Sequence, residues 1–156
     1  MKKDYSTLVT GIVLTVTVLT STYAVAESDP LSFEVGLGAN NSIAGVTVNY
    51  EVADSVEVFA GGGIGYVAGV KYYVTNNVRL TINHGTNSLL IGSGSIASKR
   101  FEGTNIGVGY ASDRDGGWVI DLMYIDASKA KDYFAKNPNI YTLNDGKVKL
   151  SFGYRW

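Results

Sequence analysis

The chain has 156 residues, enough for one domain, and contains no cysteine, which excludes disulfide frameworks, thiolate zinc sites and cysteine nucleophiles. Its net charge of −1 gives no cationic footprint for a nucleic-acid partner. Only 17% of the residues are charged, whereas 46% are apolar or aromatic, and glycine and tyrosine occur 19 and 11 times. This balance is unusual for a soluble enzyme and favours β-structure in or near a membrane.

The start of the chain has the features of a secretory signal peptide. Two lysines follow the initial methionine, a largely apolar stretch without charge comes next, and Ala24-Val25-Ala26 supplies a small-residue cleavage site before an acidic residue. This order predicts a cleavable signal peptide over residues 1–26 and a mature domain over residues 27–156. An uncleaved membrane anchor is the alternative, but the five threonines between positions 10 and 22 disfavour a spanning helix.

The mature domain alternates between two kinds of residue with a period of two, which is the period of a β-strand. In the last segment, for example, Val148, Leu150 and Phe152 alternate with Lys149 and Ser151. The same pattern predicts eight strands, over residues 31–38, 45–52, 56–61, 70–74, 78–83, 104–110, 118–124 and 147–156. Turn-forming residues separate the segments, among them Asn40-Asn41 and Asn76-Asn77.

The connections between the predicted strands fall into two classes by length. Those after the second, fourth and sixth strands are short, whereas residues 84–100 and 127–146 form long loops on the opposite side. Within the second long loop, residues 128–136 are a helix candidate that Asn137-Pro138 ends. Short turns at one end and long loops at the other are typical of outer-membrane barrels whose chain termini are periplasmic.

The two faces of the predicted strands differ in a way that bears on the membrane. One face carries valine, leucine, isoleucine and many aromatic residues near the segment ends, as in an interfacial aromatic belt. The other face is rich in glycine, which weakens a solvent-exposed strand but fits the narrow interior of an eight-stranded barrel. The pattern therefore favours a transmembrane barrel over a soluble barrel or sandwich, which remains the alternative.

The C-terminal segment carries a recognisable motif. Leu150, Phe152, Tyr154 and Trp156 alternate strictly and end on an aromatic residue, which resembles the signal that the outer-membrane assembly machinery reads on its clients. With the signal peptide and the strand count, the chain resembles small eight-stranded outer-membrane barrels of the OmpA transmembrane-domain and OmpX kind. The resemblance implies an all-β, antiparallel, up-and-down transmembrane barrel in the outer membrane of a Gram-negative bacterium. Our first hypothesis for its function is a role without catalysis in envelope structure or surface interaction.

Eight ionisable residues lie at the alternating strand positions that are expected to face the interior of the predicted barrel. They are Glu34, Glu51, Glu57, Lys71, Arg79, Asp121, Lys149 and Arg155. Four acids and four bases in a tight interior are expected to pair, because an isolated buried charge is unfavourable. The sequence therefore predicts a network of ion pairs that seals the barrel, with a narrow proton or small-solute path as the alternative.

The lone histidine offers a catalytic alternative. Lipid A deacylases, which are also eight-stranded barrels, pair a histidine with a serine two residues later, and His84 and Thr86 have that spacing. A threonine replaces the serine, and no acid lies at a convincing position to orient the histidine. We therefore expect a polar residue at the rim and no enzymatic activity, with a lipid A-modifying hydrolase as the alternative.

The long loops carry the features that could determine partners. Lys99 and Arg100 in the first loop have no acidic neighbour in that loop and are candidates for contact with lipopolysaccharide phosphates, although solvated loop charges are an equal alternative. The expected partners are outer-membrane lipid, lipopolysaccharide and the assembly machinery, without nucleic acid. We expect a monomer without cofactor or metal ion.

Overall fold

The computed structural model describes residues 30–90, 99–137 and 147–156. The predicted signal peptide lies outside these residues. The strands of the described chain are β1 (Leu31–Gly38), β2 (Ile43–Ala53), β3 (Val56–Gly63), β4 (Tyr66–Tyr73), β5 (Val78–Leu90), β6 (Lys99–Ala111), β7 (Gly117–Ile125) and β8 (Val148–Arg155). A 3₁₀ helix (Ala39–Asn41) connects β1 to β2, and one α-helix, α1 (Ser128–Ala135), precedes β8.

The eight strands form a closed antiparallel barrel in which each strand pairs with its neighbours in sequence and β1 pairs with β8. This confirms the predicted all-β, up-and-down architecture. Both ends of the described barrel chain and three short turns lie at one end, which we call the terminal end. The other end, the loop end, carries the 3₁₀ helix, α1 and the connection between β5 and β6.

The orientation of side chains follows the predicted alternation. Along β7, Val119, Asp121 and Met123 are buried, whereas Ile120 and Leu122 are exposed on the outside of the barrel. In β8, Leu150 is 68% exposed while Ser151 and Arg155 are buried. Charged and polar groups therefore occupy most of the inside of the barrel together with some apolar side chains such as Met123, and apolar groups cover its outside.

The connection between β1 and β2 turns into the barrel. Gly38 has a φ of 107°, a conformation that residues with a side chain rarely adopt, and the chain then enters the 3₁₀ helix. Ala39, Asn40 and Asn41 are all buried in the interior. The predicted turn at Asn40-Asn41 is thus an inward-folded segment that closes the loop end.

The hairpin between β5 and β6 is longer than the sequence predicted. Residues 84–100 were expected to form a loop, but β5 continues to Leu90 and β6 begins at Lys99. The register shifts between Thr86 and Ser88, so a bulge interrupts the alternation from which the strand was predicted. The prediction of a long loop here is wrong because the two strands keep pairing beyond the bulge.

Helix α1 packs on the extended hairpin. Leu90 and Phe101 form a small apolar cluster with Ala130 of the helix, and Tyr133 and Phe134 pack against its side. The ring of Phe101 lies 5.4 Å from that of Tyr133. The helix confirms the candidate predicted over residues 128–136. No helix in the described ranges has the length and apolar character needed to cross a membrane.

Candidate functional site in the barrel interior

The middle of the barrel holds a network of four charged side chains from four strands. The Lys71 ammonium lies 2.9 Å from Oε2 of Glu34, and the Arg79 guanidinium lies 3.2 Å from the same oxygen. Arg79 also donates two hydrogen bonds to Asp121, from Nε to Oδ1 at 3.0 Å and from Nη2 to Oδ2 at 2.9 Å. Two acids and two bases are thus fully paired in the centre of the barrel.

A second group of charges fills the terminal end. Arg155 binds Glu57 through both terminal nitrogens, at 2.6 Å and 3.0 Å, and also donates to the Tyr73 hydroxyl. Arg114 reaches this end from the turn between β6 and β7, where it pairs with Glu51 at 3.1 Å. Its guanidinium lies 4.7 Å from the centroid of the Tyr73 ring. The turn residue therefore completes the closure of this end.

Asparagines form a layer at the loop end. Asn83 donates to Asn40 at 2.6 Å, and Asn105 donates to the side-chain oxygens of Asn83 and Asn87 at 2.7 Å and 2.6 Å. Asn41 connects this layer to the middle network by donating to Glu34 at 3.3 Å. Neutral amides bind one another here, so the layer fills this end without adding charge, although Asn40 Nδ2, Asn41 Oδ1 and Asn105 Oδ1 are buried without a hydrogen-bond partner.

The structure brings seven of the eight predicted interior charges into ion pairs inside the barrel or at its terminal end. Glu51 is half-buried in its pair with Arg114. The eighth, Lys149, lies at an inward-facing position of the alternation but is exposed at the loop end. Its ammonium donates to the backbone oxygen of Asn87 at 3.3 Å.

Arg114 and the asparagine layer were not among the predicted site residues. Asn83 and Asn105 occupy inward-facing positions of the alternation, and this was a usable signal for the layer. Arg114 lies in a turn, where strand alternation carries no information about direction.

The side chains of His84 and Thr86, the pair of the catalytic alternative, form hydrogen bonds to other residues. His84 is exposed, and its Nδ1 lies 3.1 Å from the Thr104 hydroxyl on the neighbouring strand. Thr86 is buried, and its hydroxyl accepts a hydrogen bond from the backbone N–H of Tyr66 at 3.3 Å. The two side chains therefore have different surroundings on β5. Within the described ranges, no three acidic or histidine side chains gather in a way that could hold a metal ion.

The cationic candidates of the first long loop lie on β6. Lys99 and Arg100 are both exposed, and the Lys99 ammonium lies 4.1 Å from the centroid of the Tyr133 ring on α1. Nearby, the backbone N–H of Ser128 donates to the Asp126 carboxylate at 3.1 Å, and hydrogen bonds from Ser128 hold the pKa of Asp126 below its ordinary value. Asp126 therefore places a carboxylate near Lys129 at the same end.

The four residues of the predicted assembly signal lie on the outside of β8. Leu150, Phe152, Tyr154 and Trp156 are all exposed. Trp118 of β7 packs against two of them, with ring centroids 5.1 Å from both Phe152 and Tyr154. Aromatic rings thus form a cluster at the terminal end of β7 and β8.

Comparison with known proteins does not name a family for this chain. Neither family models, nor curated proteins, nor solved structures give a significant match.

Proposed function

We propose that this chain is an integral β-barrel protein of the outer membrane of a Gram-negative bacterium. The proposal rests on the distribution of side chains, because apolar groups are outside and charged groups inside, the reverse of a soluble protein. Twenty-six large apolar or aromatic side chains of the described residues are exposed, whereas Lys71, Arg79 and Glu34 are fully buried. In water such a surface would far exceed the apolar patches that soluble monomers expose. In a bilayer the same surface is the favourable one.

The distribution of aromatic residues along the barrel supports the same proposal. Trp118, Tyr154 and Trp156 lie at the terminal end, and Tyr66 and Tyr124 lie at the loop end of the outer surface. Between them most of the exposed residues are aliphatic, such as Ile120 and Leu122, with Phe152 beside Ile120. Two aromatic belts flanking an aliphatic band match the two interfaces of a membrane. The strands have 8–13 residues, close to the roughly nine to eleven that a tilted transmembrane strand needs.

We further propose a role that needs neither catalysis nor an open channel. The interior network supports this part, because its ion pairs and asparagine layer fill the space through which a solute would pass. A barrel of this kind contributes to the envelope through its outer wall and its surface-exposed loop end. The signal peptide predicted over residues 1–26 would export the chain from the cytoplasm, as this location requires.

Fractionation of cells that express the full chain tests the proposal. We expect the protein in the outer-membrane fraction, with an intact mass that corresponds to a chain beginning at Glu27. We also expect unheated samples to migrate differently from heated samples on gels, because closed barrels resist detergent. A chain without residues 1–26 is the matched control and should remain in the cytoplasm. Recovery of the processed protein in the soluble periplasmic fraction would contradict the proposal.

A further inference from the structure

The exposed ionisable side chains are segregated between the two ends of the barrel. Among the described residues, six exposed cations lie at the loop end: Lys99, Arg100, Lys129, Lys136, Lys147 and Lys149. The acids of the described residues at that end are Glu102, Asp126 and Asp132. The terminal end has the opposite character, with Asp54, Asp113 and Asp115 exposed and Arg114 engaged with Glu51. We call the six cations the cationic rim.

The cationic rim begins where the apolar outer surface ends. On β8, Val148 is exposed and Lys147 directly precedes it, with its ammonium 5.9 Å from the centroid of the Tyr124 ring. On β6, Ile106 is exposed, and Arg100 lies six residues closer to the loop end. If the aliphatic band lies in hydrocarbon, these cations lie at the depth of lipid headgroups.

Part of the rim is held on an ordered platform. The apolar cluster of Leu90, Phe101 and Ala130 fixes α1 against the extended hairpin. This packing places Lys129 of the helix 3.8 Å from Glu102 and Lys99 of the strand over the Tyr133 ring. Cations on packed secondary structure lose less conformational entropy when they bind a ligand than cations on a free loop.

We infer that the cationic rim binds the phosphate groups of lipid A in the outer leaflet. The inference rests on the proposed membrane location and adds the partner and the orientation, with the loop end outermost. The inference rests on charge complementarity between the rim and the phosphates. Among the described residues, the cations outnumber the acids at this end, and they lie at the edge of the apolar surface. Phosphate groups accept charge-assisted hydrogen bonds from lysine and arginine. The acidic terminal end would repel the same lipid.

Native mass spectrometry of the folded protein in zwitterionic detergent, titrated with diphosphoryl lipid A, tests the inference. The rim variant is K99Q/R100Q/K147Q, and the matched control, D54N/D113N/D115N, changes the same number of charges at the other end. We expect binding to weaken roughly fivefold for each neutralised cation, or on the order of a hundredfold for the triple variant. The control should bind like the wild type, because the two ends are farther apart than the screening length.

Further arms of the titration identify the ligand. Dephosphorylated lipid A should bind much more weakly than the diphosphoryl form, and millimolar inorganic phosphate should not displace the bound lipid. Equal binding by the rim variant, equal binding of dephosphorylated lipid A, or displacement by inorganic phosphate would each overturn the inference. Gel mobility before and after heating is measured on every sample. A folded protein that does not bind lipid A contradicts only this inference, whereas a protein that shows no heat-sensitive mobility contradicts the proposed function.

Discussion

Arg79 on β5 and Asp121 on β7 bind each other across the intervening strand β6. The residue of β6 that lies between them is Gly109, which pairs with Arg79 on one side and with Asp121 on the other. Two hydrogen bonds of 3.0 Å and 2.9 Å join the side chains above this glycine. A bidentate pair between non-adjacent strands thus depends on the absence of a side chain at one position.

The first prediction concerns that glycine. A methyl group at Gly109 would overlap the Asp121 carboxylate, so G109A should lower the free energy of unfolding by about 1–3 kcal/mol. Urea unfolding in lipid vesicles measures the change. Gly62 is the matched control, since it is exposed on β3 and an added methyl would meet only one atom, at 3.8 Å. G62A should change stability by less than about 0.5 kcal/mol, and equal effects at both sites would contradict the packing argument.

The second prediction concerns the buried ion pair itself. Replacing Asp121 with alanine leaves Arg79 with only part of its charge compensated, so D121A should destabilise the barrel by about 3–5 kcal/mol. In R79M/D121L both charges are absent, while Lys71 still pairs with Glu34. The double variant should recover most of the lost stability in the same unfolding assay. A double variant as unstable as the sum of R79M and D121L, each measured alone, would show that the pair is not a coupled unit.

The third prediction tests the outer surface. Leu122 is 49% exposed in the aliphatic band, so L122R would place a charge in hydrocarbon and should reduce the stability of the inserted barrel by about 2–4 kcal/mol. The matched control is T104R, because Thr104 is exposed near the loop end, where the effect should be about 0–1 kcal/mol. Equilibrium refolding into vesicles measures both variants. Equal tolerance of arginine at the two depths would argue for a water-exposed surface.

The fourth prediction concerns permeability. Because Arg79, Lys71 and Arg155 are buried in ion pairs inside the barrel, the refolded protein should pass no detectable current in planar bilayers. Liposomes that contain it should not swell in solutions of small sugars, whereas liposomes with a general diffusion porin should. A stable, large conductance of the wild-type protein would favour the channel alternative over a sealed interior.

The fifth prediction concerns His84. The structure pairs this imidazole with Thr104 on an exposed face, and we expect a rim contact without catalysis. H84A should therefore leave the acylation pattern of lipid A unchanged, as measured by mass spectrometry of lipid extracts from expressing cells. T104V removes the hydroxyl that contacts His84 and is the second variant in the same assay. If the wild type removes an acyl chain and H84A does not, the hydrolase alternative replaces the non-enzymatic role.

The alternation of residue types was sufficient to predict which strand positions face inward. Asp121 and Arg79 are buried and Leu122 is exposed, as their parity indicates. Local sequence contains this information because successive side chains of a strand point to opposite faces whatever the strand pairs with. The same reasoning identified the strand count and the helix over residues 128–136. It failed beyond Asn83, where β5 continues to Leu90 and a bulge between Thr86 and Ser88 changes the phase of the alternation.

The amino-acid sequence by itself thus determined the strand periodicity, the all-β class and the inward direction of the charged side chains in the strands, because each of these depends on neighbouring residues along the chain. Only the tertiary structure decided which charges meet. Arg155 pairs with Glu57, 98 positions away, and Arg114 enters the terminal end from a turn, while Lys149 remains exposed at the opposite end. These outcomes depend on strand register and on the level of each residue along the barrel axis. Both follow from closure of the barrel, which no single segment of the chain encodes.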